Sequence, residues 1–163
     1  MSVRPVIAPL GEKPQMWVML QRYIVEMLGY VGEKPTNGDY QFPSFDSYWT
    51  EQGNWPFWAM AGNERAGFAL ISREPGWMRV KEFYIPPEFR RGGVGKSFAR
   101  QILALYPGPW KIRQMAVNAS AVAFWHGVIE DMPFTEERFM DKGMERVEQT
   151  FGITVEPLFR ERK

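Results

Sequence analysis

Cysteine is absent from the 163 residues, and histidine occurs once, as His126. The first absence excludes a thiol nucleophile, a disulfide and a thiolate-ligated metal or iron–sulfur centre. The second leaves no pair of histidines for a zinc site, and any Ser-His-Asp triad would have to use His126. An excess of one charge sign is also missing. There are 20 Lys+Arg against 19 Asp+Glu, a formal net charge of +1. A nucleic-acid or acidic-membrane binder would carry a strongly basic footprint. Apolar runs are short, such as 16–20, far below the roughly 18 residues of a bilayer span. The N-terminus lacks a basic flank followed by a long apolar run, so no signal peptide is expected. These absences predict a cytoplasmic protein with no metal, no nucleic-acid partner and no membrane partner.

Aromatic residues, by contrast, are plentiful: seven Trp, six Tyr and twelve Phe. The hydrophobic fraction of 45% is that of a globular chain, and the length fits one domain spanning 1–163. Residues 2–8 read as an edge strand, because Pro5 cannot donate within a central one. A helix over 14–29 is predicted from Pro14 near its start, Gly29 near its end and apolar residues at helical spacing. From Tyr30 to Pro56 the pattern is irregular, with a short helical segment around 45–51. Residues 57–61 and 66–72 form a hairpin signature about a Gly-Asn-Glu-Arg turn. A strand over 78–85 is stopped by Pro86-Pro87, and a helix over 93–106 follows, with Val94, Phe98, Ile102 and Leu105 on one face. Residues 110–117 alternate as a strand, Asn118 looks like the N-cap of a helix reaching Ile129, and 134–140 and 150–157 are weaker strand segments. The order predicts a mixed α/β fold.

The segment Arg90-Arg91-Gly92-Gly93-Val94-Gly95-Lys96 joins a strand to a helix. Glycines there let backbone approach a ligand closely, and the unpaired N–H groups of a first helical turn attract an anion. With three cations around it, a phosphate-bearing ligand is the natural fit. Two common phosphate loops fail on a required glycine: a Walker loop would need one at Arg90, and a GxGxxG loop would need one at Phe98.

The segment instead resembles the acetyl-CoA loop of the GNAT superfamily of N-acetyltransferases, whose pattern is met by Arg90, Gly93 and Gly95. A strand ending in an apolar-Pro segment, Phe83-Tyr84-Ile85-Pro86-Pro87, precedes it. A second segment, Asn118 to Trp125, looks like that family's next motif, an Asn followed by Ala and a pair of aromatics. The detailed resemblance covers 77–129. It implies a GNAT-like twisted mixed sheet flanked by helices, with acceptor-side helices and loops in 1–56 and the sheet core in 57–163. It implies acetyl-CoA as co-substrate, wedged where strands 78–85 and 110–117 diverge, and direct transfer of acetyl to a primary amine on a small molecule or peptide.

By the same resemblance, the backbone from Arg91 through Gly92, Gly93, Val94 and Gly95 to Lys96 would hold the pyrophosphate. Phe83 to Ile85, where the family carries a β-bulge, would meet the pantetheine and supply an oxyanion donor. Asn118 would lie near the pantetheine arm, or only cap its helix. An alkylammonium has no free lone pair at neutral pH, so a base is required. Glu82 is the candidate and Tyr84 a second polar one. Many relatives place a general-acid Tyr where this chain has Trp125, whose ring cannot deliver a proton in that way. That departure keeps a second reading open, a non-catalytic acyl-CoA-binding or sensor domain. A P-loop nucleotide hydrolase is a more distant one. His126 is expected at the surface, as are Lys111 and Arg113. The aromatic set Tyr23, Tyr30, Tyr40, Phe42, Phe45, Tyr48, Trp49 and Trp55 is read as core or pocket lining. The amine acceptor is not specified, and a homodimer is left open.

Overall fold

In a computed structural model, residues 2–154 are described. One seven-stranded sheet runs through them in the order β1-β2-β3-β4-β5-β7-β6. Its strands are β1 (Arg4–Ile7), β2 (Asn54–Ala61), β3 (Glu64–Glu74), β4 (Trp77–Tyr84), β5 (Gly108–Met115), β6 (Phe134–Asp141) and β7 (Met144–Ile153). Helices α1 (Lys13–Tyr30) and α2 (Ser47–Thr50) cover one face, where Met16, Leu20 and Tyr48 are buried against Trp58, Phe68 and Leu70. Helices α3 (Val94–Leu105) and α4 (Ala119–Val128) cover the other, where Phe98, Ile102 and Trp125 pack on Ile71, Trp110 and Ile112. The layers follow from the sequence, because the central strands alternate side chains between two apolar helix stripes. Among the described residues no helix is long and apolar enough to cross a membrane.

Every neighbouring pair is antiparallel except β4 and β5, which run parallel and touch over only three register pairs, from Met78 with Trp110 to Val80 with Ile112. Beyond Val80 the two strands part and leave a wedge in the middle of the sheet. The divergence expected between these strands is therefore present, and it sets where ligands can enter.

Several boundaries move from their expected places for identifiable reasons. Strand β2 begins at Asn54 rather than Phe57, with Pro56 inside it. The carbonyl of Pro56 accepts from the Ala8 N–H, and the Ala8 carbonyl that a Pro56 N–H would have met accepts from Trp49 Nε1 at 2.9 Å instead. Strand β7 starts at Met144, six residues before the expected segment, because Glu148 and Gln149 are buried polar groups that mask its alternation. Residues 155–157 of that expected segment lie outside the described ones. In α3 the buried face uses Leu103 rather than Leu105, which is exposed. In α1 only Met16 and Leu20 of the expected stripe are fully buried. Its second half lies over the wedge, so Tyr23, Ile24 and Met27 are only partly buried and line the opening there.

Candidate active site

The site is created by one extra residue. Opposite Leu70 and Ile71 of β3, strand β4 presents Glu82 and Val80, so Lys81 is left without a partner as a bulge. The bulge lies at Lys81, not at Phe83–Ile85. Since side chains alternate, one inserted residue reverses the facing of all that follow. Met78 and Val80 point to the α3/α4 side, and without the bulge Glu82 would join them in that apolar core. With it, Glu82 turns to the α1 side, and Phe83 drops between Phe98, Phe124 and Trp125, with ring centroids 5.0–5.4 Å away.

Tyr23 meets Glu82 there. Its phenol donates to the carboxylate at 2.5 Å. Glu82 keeps only partial access to solvent and is densely surrounded, and this desolvation pushes its pKa up to about 7 despite the Tyr23 hydrogen bond and the positive charges of Lys81 and Arg146. Tyr23 is pushed well above its ordinary value, first by burial and then by the charge of Glu82.

Two clefts meet at this point. The larger, about 800 Å³, opens on the α1 face of the wedge. The smaller, about 390 Å³, reaches the start of α3 past Ile85, Gly93, Gly95 and Lys96. Tyr23, Met27, Phe83, Asn118, Ala121 and Trp125 line both. Glu82 lines the larger one, while Tyr84, the second polar candidate, lines the smaller and is itself buried beneath α1.

The glycine loop has the geometry of an anion cradle. Gly92 and Gly93 both take positive φ, +83° and +74°, and Gly93 is the N-cap of α3. The first helical hydrogen bond is from the Ser97 N–H to the Gly93 carbonyl. The N–H groups of Val94, Gly95 and Lys96 therefore have no acceptor within the helix. Gly95 serves a different need: a Cβ there would lie 3.1 Å from the Phe124 ring. The three cations separate by role. Arg90 is committed to protein, its Nε donating to the Ile85 carbonyl at 2.7 Å and its Nη2 to Glu26, with its guanidinium over the Tyr84 ring. Lys96 reaches Glu130 at 3.1 Å from a partly exposed position, and Arg91 is exposed.

Asn118 is buried and caps α4, its Oδ1 accepting from the Ala121 N–H at 3.1 Å. Its amide nitrogen reaches only the weak acceptor Met27 Sδ, at 3.9 Å, from a position lining both clefts. Trp125 is buried against Phe83. His126 lies away from both clefts, paired with Glu136 at 2.6 Å and stacked on Phe134. Lys111 and Arg113 turn toward Glu148, at 3.6 and 2.9 Å. The aromatic set divides. Phe45 and Tyr48 are core, Trp55 packs on Tyr106, Tyr23 and Phe42 line the larger cleft, and Tyr30 lines the smaller. The partnership of Tyr23 with Glu82, the position of the bulge and the placement of Arg146 were not among the expectations. The signal for Tyr23 is modest: a polar-tipped residue within the apolar stripe of α1.

No family model matches the chain, and no curated protein sequence does. Solved structures do. The ribosomal-protein-S18-alanine N-acetyltransferase from Escherichia coli superposes with a TM-score of 0.64 at 11% identity, over 99% of this chain and 100% of its own. The aminoglycoside acetyltransferase AAC(6')-Ib, in complex with paromomycin and acetyl-CoA, gives 0.68 at 16% identity, over 93% and 94%. The spermidine/spermine N-acetyltransferase SpeG from Vibrio cholerae gives 0.62 at 12%, over 92% of each chain. The fold of this chain is that of the GNAT acetyltransferases.

Proposed function

We propose that this protein moves an acetyl group from acetyl-CoA directly to an amine, with Glu82 as the base and Tyr23 as its relay. The observation that carries the reading is the placement of Glu82 and Tyr23 where the two clefts meet. In this arrangement the glycine loop and the N-terminus of α3 bind the pyrophosphate, and the smaller cleft takes the pantetheine past Ile85. The amine enters through the larger cleft. Backbone at the end of β4 polarises the thioester carbonyl.

The proton arithmetic favours Glu82. Moving a proton from an alkylammonium to an ordinary carboxylate is uphill by about 8 kcal/mol, but by about 5 to one titrating near 7. The freed amine attacks the carbonyl carbon, the C–S bond breaks, and the sulfur leaves as thiolate. A thiol titrates at about 8.5, so a proton held on Glu82 moves downhill to it. Tyr23 gives its phenolic proton to the sulfur and is reprotonated by the Glu82 carboxyl, which returns to carboxylate. The second proton leaving the nitrogen goes to solvent. This route supplies from α1 the proton that Trp125 cannot.

Calorimetric titration with acetyl-CoA, paired with a thiol-release assay over a panel of amines, tests the reading. Binding plus amine-dependent thiol release supports it. Binding with no turnover on any amine, unchanged by Glu82→Gln, supports the alternative of an acyl-CoA sensor, which Trp125 in the usual Tyr position favours. Thermal protection by ATP but not by acetyl-CoA contradicts both.

A further inference from the structure

Several charges around the larger cleft are paired within the protein. Glu148 accepts from Arg79 at 2.9 Å and from Arg113 at 2.9–3.0 Å, while Glu74 takes the Nε of Arg79 at 2.7 Å and lies 3.7 Å from Lys81. Arg146 is different. It sits two residues before Glu148 on β7, on the same face, opposite Met115, three residues beyond the last β4–β5 pair. Among the described residues it has no carboxylate within 4 Å, and its Nε is buried with no hydrogen-bond partner. It lines the cleft that holds Glu82 and acts electrostatically on both Glu82 and Tyr23. An unpaired buried Nε donor is costly, and the guanidinium of this half-buried residue, which lines the cleft, is matched by an anionic oxygen pair.

We infer that the acceptor amine also carries an anionic oxygen group, a carboxylate or phosphate, held by Arg146 while its nitrogen faces Glu82. This rests on the acetyl-transfer reading and narrows its substrate class. The charge of the cleft agrees. Arg79, Lys81, Arg113, Lys142 and Arg146 line it, against Glu33, Glu74, Glu82 and Asp141. A polycation, such as a polyamine or an aminoglycoside, would enter a cleft that is not acidic, next to an unpaired guanidinium. An amino acid, a short peptide offering its own carboxylate, or an amino-phosphate would bring the missing partner.

Matched acceptors test this in the thiol-release assay: lysine against cadaverine, phenylalanine against phenethylamine, phosphoethanolamine against ethanolamine, with spermidine and paromomycin alongside. The expected result is a kcat/KM at least tenfold higher for the anion-bearing member of one or more pairs. In Arg146→Gln the KM for that member rises about 10- to 100-fold more than the KM for its uncharged-end counterpart, any change in kcat from the lost charge near Glu82 being common to both, and Arg146→Lys recovers part of the loss. Equal or better turnover of spermidine, paromomycin or the simple amines overturns the inference and leaves acetyl transfer standing. So does an equal loss on both members of each pair. Thiol release with none of these amines, despite acetyl-CoA binding, overturns the acetyl-transfer reading and this one with it. The wild-type preference is read without any variant, so poor folding of an Arg146 substitution does not leave the question open.

Discussion

The phenol of Tyr23, in α1, donates to the Glu82 carboxylate at 2.5 Å across 59 residues of sequence. That contact exists because the bulge at Lys81 turns Glu82 toward α1, and because α1 runs past the end of the β4–β5 ladder. It joins the helical half of the chain to the strand half at the point where both clefts open.

Removing the Tyr23 hydroxyl has a signed consequence. The hydrogen bond favours the ionised carboxylate, so Tyr23→Phe lets Glu82 titrate higher than about 7. The alkaline-rising limb of kcat/KM should move up by roughly one unit, the worth of one hydrogen bond to a charged group. The rate should also fall, because the relay to sulfur is gone. A pH–rate profile of the variant against wild type checks both.

Stability carries the same signature. Glu82 holds its proton more tightly folded than unfolded, so the folded state binds the extra proton between about 4.5 and 7. Its contribution is neutral below the unfolded value and becomes unfavourable as pH rises through the folded one. Glu82→Gln keeps an acceptor for Tyr23 without the buried charge. It should therefore stabilise the protein at pH 8 by on the order of 1–3 kcal/mol and have little effect at pH 4. Thermal melts at the two pH values decide it.

Two glycines at the site should respond differently to a methyl group. A Cβ on Gly67 would collide with the Tyr84 carbonyl oxygen, so backbone at the end of β4 must shift. Gly67→Ala should cost roughly 1–3 kcal/mol of stability and weaken acetyl-CoA binding. A Cβ on Gly95 would be 3.1 Å from the side chain of Phe124. There the helix gains up to ~1 kcal/mol from Ala, offsetting the crowding. Gly95→Ala should thus change the melting temperature little while raising the Kd for acetyl-CoA.

The adjacent arginines should also separate. Arg90 ties the Ile85 carbonyl to Glu26, so Arg90→Gln should loosen the strand end and weaken acetyl-CoA binding at every ionic strength. Arg91 is exposed and would act on the phosphates through solvent, so Arg91→Gln should weaken binding chiefly at low salt. Titrations at 20 and 500 mM salt, as probe conditions of roughly 20 and 4 Å screening length, distinguish them.

Much of the fold was legible because local chemistry agreed with it. The hairpin turns, the Pro86-Pro87 stop, the glycine loop and the Asn118 cap each stand where the chain needs them, and Asn118 does cap α4. The parallel β4–β5 pair and its divergence were expected from the family resemblance carried by the glycine loop and the Asn118 segment. Buried polar residues were harder to see, since Glu148 and Gln149 disguised half of β7. The bulge was misplaced because a single unpaired residue is visible only once the register with β3 is known. Glu82 is the candidate that the sequence offers, from its place just before the expected bulge. Its partner Tyr23 and the unpaired Arg146 come from other elements, and pairings set by tertiary packing leave no local pattern.

The central claim is that Glu82 takes the amine's proton, and the pH dependence of kcat/KM for amine-dependent thiol release tests it most directly. Wild type should rise through a limb near 7, and Glu82→Gln should lose that limb and 10²- to 10⁴-fold in rate while binding acetyl-CoA with unchanged Kd. An unaltered rate and an unaltered limb in Glu82→Gln would contradict the account.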